Sequence, residues 1–364
     1  MNYLKVFKDK KILITGHTGF KGAWLTAWLK LLGAEIIGVS LDIVSNPSHF
    51  IEAKLDAGIK DLRIDIRDKS LIEEIALKEK PDFVFHLAAQ SLVRESYLNP
   101  VETWTTNLMG SLNVLEALRK IDKKCAAVII TSDKCYDNVE WPWGYKETDS
   151  LGGPDPYSSS KGAAELLIKS YISSFFSSED CNVRIASARA GNVIGGGDWA
   201  KDRIIPDCVK AWSEDKVVKL RNPNATRPWQ HVLEPLSGYL RLAYDLYESR
   251  RLHGEPFNFG PPAQQNQSVL ELVEVMSNYW DQVRWEDISK KTEQPYESGL
   301  LKLNCDKALH EMNWKAVMDF EETISMTAEW YKSFYLNPTT ILDLTNSQLE
   351  KYTELAKSRG LDWA

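Results

Sequence analysis

From Lys11 onward, short runs of β-branched and aromatic residues alternate with longer stretches whose apolar positions recur every three or four residues. That rhythm predicts parallel strands joined by crossover helices. The strands read as Ile12–Thr15, Glu35–Ser40, Leu62–Asp65, Asp82–His86, Ala126–Thr131 and Val183–Ser187. The helices read as Ala23–Leu32, Asp68–Lys80, Thr103–Lys120 and Ser158–Phe176. Past Gly191 the rhythm breaks at Gly195-Gly196-Gly197, Pro206, Asn222-Pro223-Asn224, Arg227-Pro228 and Pro261-Pro262, the punctuation of loops. The expectation is an α/β chain, a doubly wound parallel sheet over residues 1–190 to which 233–254 return. A smaller mixed domain follows from 191–232 and 255–364, with an amphipathic closing helix at Ser347–Arg359.

Composition narrows the function classes. Of 364 residues, 43% are hydrophobic and 26% charged, which argues against disorder and supports two sizeable cores. A formal net charge of −7 argues against nucleic acid or an anionic membrane as partner. The five cysteines, Cys125, Cys135, Cys181, Cys208 and Cys305, are scattered and have no zinc-site spacing, so they read as reduced thiols and no metal is expected. His86, at a strand end, reads as a satisfied core histidine. The opening Met1–Lys8 lacks the apolar stretch of a signal peptide, and no segment holds eighteen apolar residues in a row. A cytoplasmic location is expected.

Gly16-His17-Thr18-Gly19-Phe20-Lys21-Gly22 follows the first strand directly and opens the first helix, where a backbone must approach a pyrophosphate with no side chains in the way. Asp42 falls twenty residues after Gly22, just past the second strand, where a carboxylate accepts ribose hydroxyls and repels a 2′-phosphate. That favours NAD over NADP, although Lys21, and His17 if protonated, could serve either phosphate. Asp65 and Ile66, at the end of the third strand, are candidates to reach the adenine.

Tyr157 and Lys161 are four residues apart, a spacing that stacks both side chains on one helix face. Ser132 ends a strand expected to lie beside that helix. A neighbouring ammonium and a cationic nicotinamide would draw the phenol down from its usual ~10, so Tyr157 could take a proton from a substrate hydroxyl while hydride leaves carbon. Trp141-Pro142-Trp143 reads as a packed loop.

Gly16-x-x-Gly19-x-x-Gly22, Ser132 and Tyr157-x-x-x-Lys161 resemble the extended short-chain dehydrogenase/reductase superfamily. Leu87-Ala88-Ala89-Gln90, Asn107 and Ser132-Asp133 resemble its nucleotide-sugar branch. Four ordered motifs are similar to the CDP-glucose 4,6-dehydratase family: Gly16–Gly22, Thr131–Tyr136, Gly195–Trp199 and Arg227–Val232, with Glu321–Tyr331 matching its terminal helix. The resemblance implies a Rossmann NAD-binding domain with Leu87, Ala88 and Ala89 near the cofactor, and a smaller domain for the sugar nucleotide. It implies oxidation of the glucose 4-hydroxyl, loss of the C5 proton with the 6-hydroxyl, and return of hydride at C6, with NAD unchanged. Arg227 resembles the family's pyrophosphate-binding arginine, and Gln90, Asn192 and Arg203 resemble further substrate contacts.

One departure matters. Related dTDP-sugar dehydratases carry Asp-Glu after the strand, the Asp as acid and the Glu as C5 base, where this chain has Asp133-Lys134. A lysine serves as base only where burial or a cation lowers its proton affinity, so Lys134 could instead polarise the ketone. The resemblance further implies a homo-oligomer, dimer or tetramer, with Leu112–Leu118 and Leu166–Tyr171 as candidate interface faces. Two other readings are a 4-epimerase or plain dehydrogenase that does without Asp133 and Lys134, and a non-catalytic NAD-binding regulator.

Overall fold

The computed structural model describes residues 3–43, 45–280, 283–289 and 300–361. Its centre is a seven-stranded parallel sheet of β1 (Lys11–Thr15), β2 (Glu35–Ser40), β3 (Lys60–Arg63), β4 (Phe83–His86), β5 (Cys125–Ile130), β6 (Val183–Arg189) and β7 (Pro256–Asn258). The spatial order is β3-β2-β1-β4-β5-β6-β7. β1 pairs with β2 on one side and β4 on the other, so the order reverses there and a crevice opens at the carboxyl ends of both strands. β4 and β5 are buried at every position, as strands covered on both faces must be.

Two helical layers supply the covering. On one face Ile168, Val114 and Leu115 join Leu13 and Val84 in one core. On the other lie α1 (Phe20–Leu31), α3 (Leu233–Glu248), α4 (Phe320–Leu336) and α5 (Ile341–Ser358), whose Trp24, Trp28, Leu236, Leu240, Trp330 and Tyr352 form the larger core. Truncating such a tryptophan costs about 3–5 kcal/mol. The closing helix is thus a pair, and Glu234 fastens it. Its buried carboxylate accepts from Val317 N (2.8 Å), Met318 N (2.7 Å) and Tyr352 Oη (2.8 Å), while burial raises its pKa to about 7.

Differences from the expected elements have local causes. β3 begins two residues early because its first half is polar, although Ile64 N still donates to Ser40 O at 2.9 Å. The stretch expected as one helix over Thr103–Lys120 is broken into Pro100–Trp104, a wide turn at Thr105–Gly110, and Ser111–Leu118. The helix carrying Tyr157, α2 (Pro156–Tyr171), begins at an Asp155 cap that accepts from Ser158 N. Short strand pairs (193–194 with 230–231, 226–227 with 267–268, and 218–220 with 285–287) build the region beside the carboxyl edge. β7 returns to the sheet from the stretch expected to lie wholly in the smaller domain. Leu112–Leu118 does not present an apolar outer face, because Val114, Leu115, Ala117 and Leu118 are buried in the core.

Candidate active site

The turn from β1 into α1 folds back on itself. Gly16 has φ +79°, in the left-handed region, and a Cβ there would lie 2.7 Å from Ala88 N. At Gly22 a Cβ would lie 2.0 Å from the Gly16 carbonyl oxygen. Gly19 caps α1 without a side-chain bond, leaving first-turn N–H groups and the helix dipole available to an anion. A cavity of about 1020 Å³ opens over this turn. It reaches Asp42 past β2, Asp65 and Ile66 past β3, and Leu87, Ala88 and Ala89 past β4. A glycine cradle that any Cβ would fill, placed at the point where the strand order reverses, fits a dinucleotide. The Asp65 carboxylate is already engaged by Arg67 Nε (2.8 Å) and Nη2 (2.6 Å), which holds its pKa below the usual range.

Two residues of the turn face elsewhere. The His17 ring lies beneath the sheet, bonded to Asp61 Oδ1 at 2.9 Å and packed edge-on to Phe50. Burial lowers its pKa, so it is not a protonated phosphate ligand. Lys21 runs toward the chemical end of the cavity, its Nζ 3.4 Å from Tyr239 Oη of α3. Burial brings it down to about 8 against the pull of Asp133, and Arg203 and Lys161 lower it further.

Ser132 follows β5 and caps the short turn Asp133–Cys135, accepting from Lys134 N at 3.2 Å and donating to Asp133 Oδ1 at 3.0 Å. Asp133 is buried, with Asn192 Nδ2 at 3.4 Å from Oδ2. Gly191 backs it so closely that a Cβ would lie 1.7 Å from that oxygen. Tyr157 and Lys161 project from α2 into the same cavity, which Lys134 also lines. The expected lowering of Tyr157 is not what the protein alone produces. Burial raises it to about 12, Asp133 adds to the rise, and Ser132 and Arg203 offset part of it. Lys161 is lowered to about 8 by burial, with Glu165 opposing.

A buried network under the site went unread in the sequence. Glu165, one further turn along α2, accepts from Thr131, Ser187 Oγ (2.8 Å) and Arg189 Nη2 (2.7 Å). Arg189 Nη1 donates to Tyr136 Oη at 2.7 Å. Thr131 and Tyr136 bracket residues 132–135, so the Glu165–Arg189 pair holds both ends of the turn that carries Ser132 and Asp133. The four-residue continuation from Tyr157 through Lys161 to Glu165 was the available signal.

The candidate substrate contacts divide. Arg203 lines the cavity and is held by Asp198 Oδ2 at 2.6 Å, while Arg227 and Asn192 line it as well. Asn192 thus touches Asp133 as well as the cavity. Gln90 borders the cavity, but its amide is committed to Leu92 O (3.1 Å), Thr103 Oγ1 (2.9 Å) and Leu92 N (2.6 Å). Asn107 ties that loop to α2 through Ser160 Oγ at 2.9 Å. His86 bonds Thr15 Oγ1 (2.6 Å) and Ser111 Oγ (2.9 Å), as a satisfied core histidine does. Gly196 packs against Trp330 and accepts from Trp24 Nε1 at 2.9 Å, so Gly195–Trp199 braces the wall that carries Arg203. Trp141 packs on Tyr145 with centroids 5.2 Å apart, whereas Trp143 is 63% exposed, so half of that loop is packed.

Residues 13–327 match the family model described as GDP-mannose 4,6 dehydratase. A curated CDP-glucose 4,6-dehydratase of Salmonella typhimurium is 44% identical, over 90% of this chain and 92% of its own. Among solved structures, the epimerase Mth375 of Methanothermobacter thermautotrophicus superposes with a TM-score of 0.78 at 22% identity, covering 93% of this chain and 96% of that one. The dTDP-glucose 4,6-dehydratase of Bacillus anthracis, solved with NAD, gives a TM-score of 0.72 at 20% identity, covering 89% and 97%.

Proposed function

The chain belongs to the GDP-mannose 4,6-dehydratase family, and from that premise we propose that it dehydrates CDP-D-glucose to CDP-4-keto-6-deoxy-D-glucose with NAD as cofactor. The observation that carries the reading is one cavity holding Tyr157, Lys161 and Ser132 next to the buried Asp133, with Lys134 adjoining. A 4-epimerase or dehydrogenase has no use for the last two. CDP as the nucleotide rests on the 44% identical relative.

Tyr157 takes the 4-hydroxyl proton, with Ser132 holding that oxygen and Lys161 favouring the phenolate. The 4-ketone then acidifies C5, Asp133 protonates the departing 6-hydroxyl, and Lys134 is assigned either to take the C5 proton or to polarise the ketone. The glycine turn after β1 would hold NAD, which would supply a hydride acceptor for C4 and a hydride donor for C6. Gly16, Gly19, Phe20, Gly22, Asp42, Ile66, Leu87, Ala88 and Ala89 are assigned to NAD, and Asn192, Arg203 and Arg227 to the sugar nucleotide. Residues 1–190 with 233–258, β7 included, are assigned to the NAD unit, and 191–232 with 259–364 to the sugar-nucleotide unit. We place the protein in the cytoplasm, in synthesis of deoxysugars for a polysaccharide such as lipopolysaccharide, and as an oligomer of identical chains.

Deuterium at C4 of the glucose tests the reaction. It should reappear at C6 of the product, within the same molecule and without net NADH. Label returned to C4 means an epimerase, NADH in proportion to substrate means a dehydrogenase, and no turnover means a binding protein.

A further inference from the structure

The cavity has a second arm, away from the dinucleotide turn, walled by one face of the helix Ile204–Ser213 and by the strand Val218–Leu220. Arg203, Pro206, Asp207 and Lys210 line it at helical spacing. Arg203, at the near end, senses Tyr157. Asp207 lies four residues on, about 6 Å further along the axis. The charged groups that act on it are Arg221, Asp202, Lys210 and Arg94, none of them catalytic. Three carboxylates stand along this arm. Asp198 is paired with Arg203, and Asp202 with Arg94 (3.0 Å) and Arg221 (2.8 Å). Among the described residues Asp207 has neither a side-chain hydrogen bond nor an ion pair, and burial pushes its carboxyl up to about 6. A half-buried carboxylate in that state lacks donors that a ligand would bring.

Resting on the nucleotide-sugar reading above, we propose that Asp207 accepts a hydrogen bond from the exocyclic amine of the cytosine ring and thereby selects cytidine over uridine and thymidine nucleotides. With the hexose at Tyr157 and the cofactor in the first arm, the nucleoside is left to the second. The diphosphate repels a carboxylate, so the partner must be a neutral donor. Beside Asp207 the apolar Ile204, Pro206, Val218 and Leu220 stand among the cationic Lys210, Lys219 and Arg221, so the arm offers a surface for the face of a base as well as charge for the diphosphate. Cytosine offers an N4 amine at the edge where uracil and thymine carry an O4 acceptor, which a carboxylate would oppose.

Calorimetric titration with CDP and with UDP, in the presence of NAD, needs no turnover. The wild-type protein should prefer CDP by about tenfold or more. Asp207→Asn, whose amide can donate to O4, should remove most of that preference, and Asp207→Ser should weaken CDP while sparing UDP. Equal wild-type affinities, or a preference intact in both variants, overturn the proposal. So does equal loss of CDP and UDP, which would put Asp207 on the ribose. Failure of the dehydratase reading looks different: normal discrimination in these titrations, with no 4-keto product from CDP-glucose.

Discussion

At the scale of single residues, Gly191 tests the catalytic turn more sharply than truncating a catalytic side chain does. Its missing Cβ is the space occupied by the Asp133 carboxylate, so Gly191→Ala must push the acid aside while leaving Tyr157 and Lys161 on α2 untouched. Water loss should then slow by about 100-fold, the usual effect of displacing a reacting group by about an ångström, with C4 oxidation close to normal. Tyr157→Phe should do the opposite and stop the reaction at C4 oxidation while binding persists. Rapid-quench analysis separates the steps, and equal slowing of both in Gly191→Ala would remove the assignment of Asp133 to the second. Sequence spacing found these positions because Gly-x-x-Gly-x-x-Gly and Tyr-x-x-x-Lys fix where a residue sits on its element. It did not fix which way each side chain leaves the backbone. Lys21 and His17 share the turn, yet one reaches Tyr239 and the other Asp61. Gln90 was legible as a cavity residue, but its local bonds to Leu92 and Thr103 were not.

At the scale of elements, hydrophobic runs located β1, β2, β4, β5 and β6 because parallel strands buried on both faces are nearly continuous in apolar residues, whereas the polar edge strand β3 was placed two residues late. β7 escaped, since a three-residue strand of Pro256, Phe257 and Asn258 carries too little pattern to stand out. The same blindness affects helix faces. Apolar periodicity in Leu112–Leu118 marks a face that needs covering, and the core covers it. The uncovered face lies elsewhere: Leu98 is 75% exposed, Val101 74% and Leu166 58%, with Met109 and Phe175 also exposed. Exposed apolar side chains on helices that pack against one another are what an interface would use, and a second copy of this chain, paired through Leu166 on α2, is the occupant we expect. Light scattering should therefore give at least a dimer, and Leu98→Glu with Val101→Glu should shift it to monomer. A monomeric wild type would remove the expectation.

For the whole molecule, the distribution of buried titratable groups sets how the fold responds to acid. His49, His86 and His231 are fully buried and lowered to about 3, by burial alone in His49 and His231 and with some help from Lys161 in His86. His49 reaches Thr345 Oγ1 of α5 at 3.0 Å, so it fastens the β2 side of the sheet to the closing helices. Because these pKa values are depressed in the fold, the stability they permit is present above the ordinary histidine value near ~6.5 and is lost as pH falls toward about 3. Four raised carboxyls oppose this: Glu234 at about 7 and Asp207 at about 6, with Glu147 and Asp245 also raised by burial, keep protons in the fold that an unfolded chain would release. Between roughly pH 4.5 and 6, unfolding thus takes up protons at five histidines, His17 and His253 being lowered as well, and releases them in whole or in part at these four carboxyls. Each net proton is worth about 1.4 kcal/mol per pH unit, so the balance favours unfolding as the solution becomes acidic. The melting temperature should fall between pH 7 and 5, and His49→Gln should melt lower at pH 7 but with a shallower dependence on pH. A melting temperature that is flat or rises on acidification would mean that the carboxyls outweigh the histidines. An unchanged slope in His49→Gln would mean that this ring is already protonated in the folded protein.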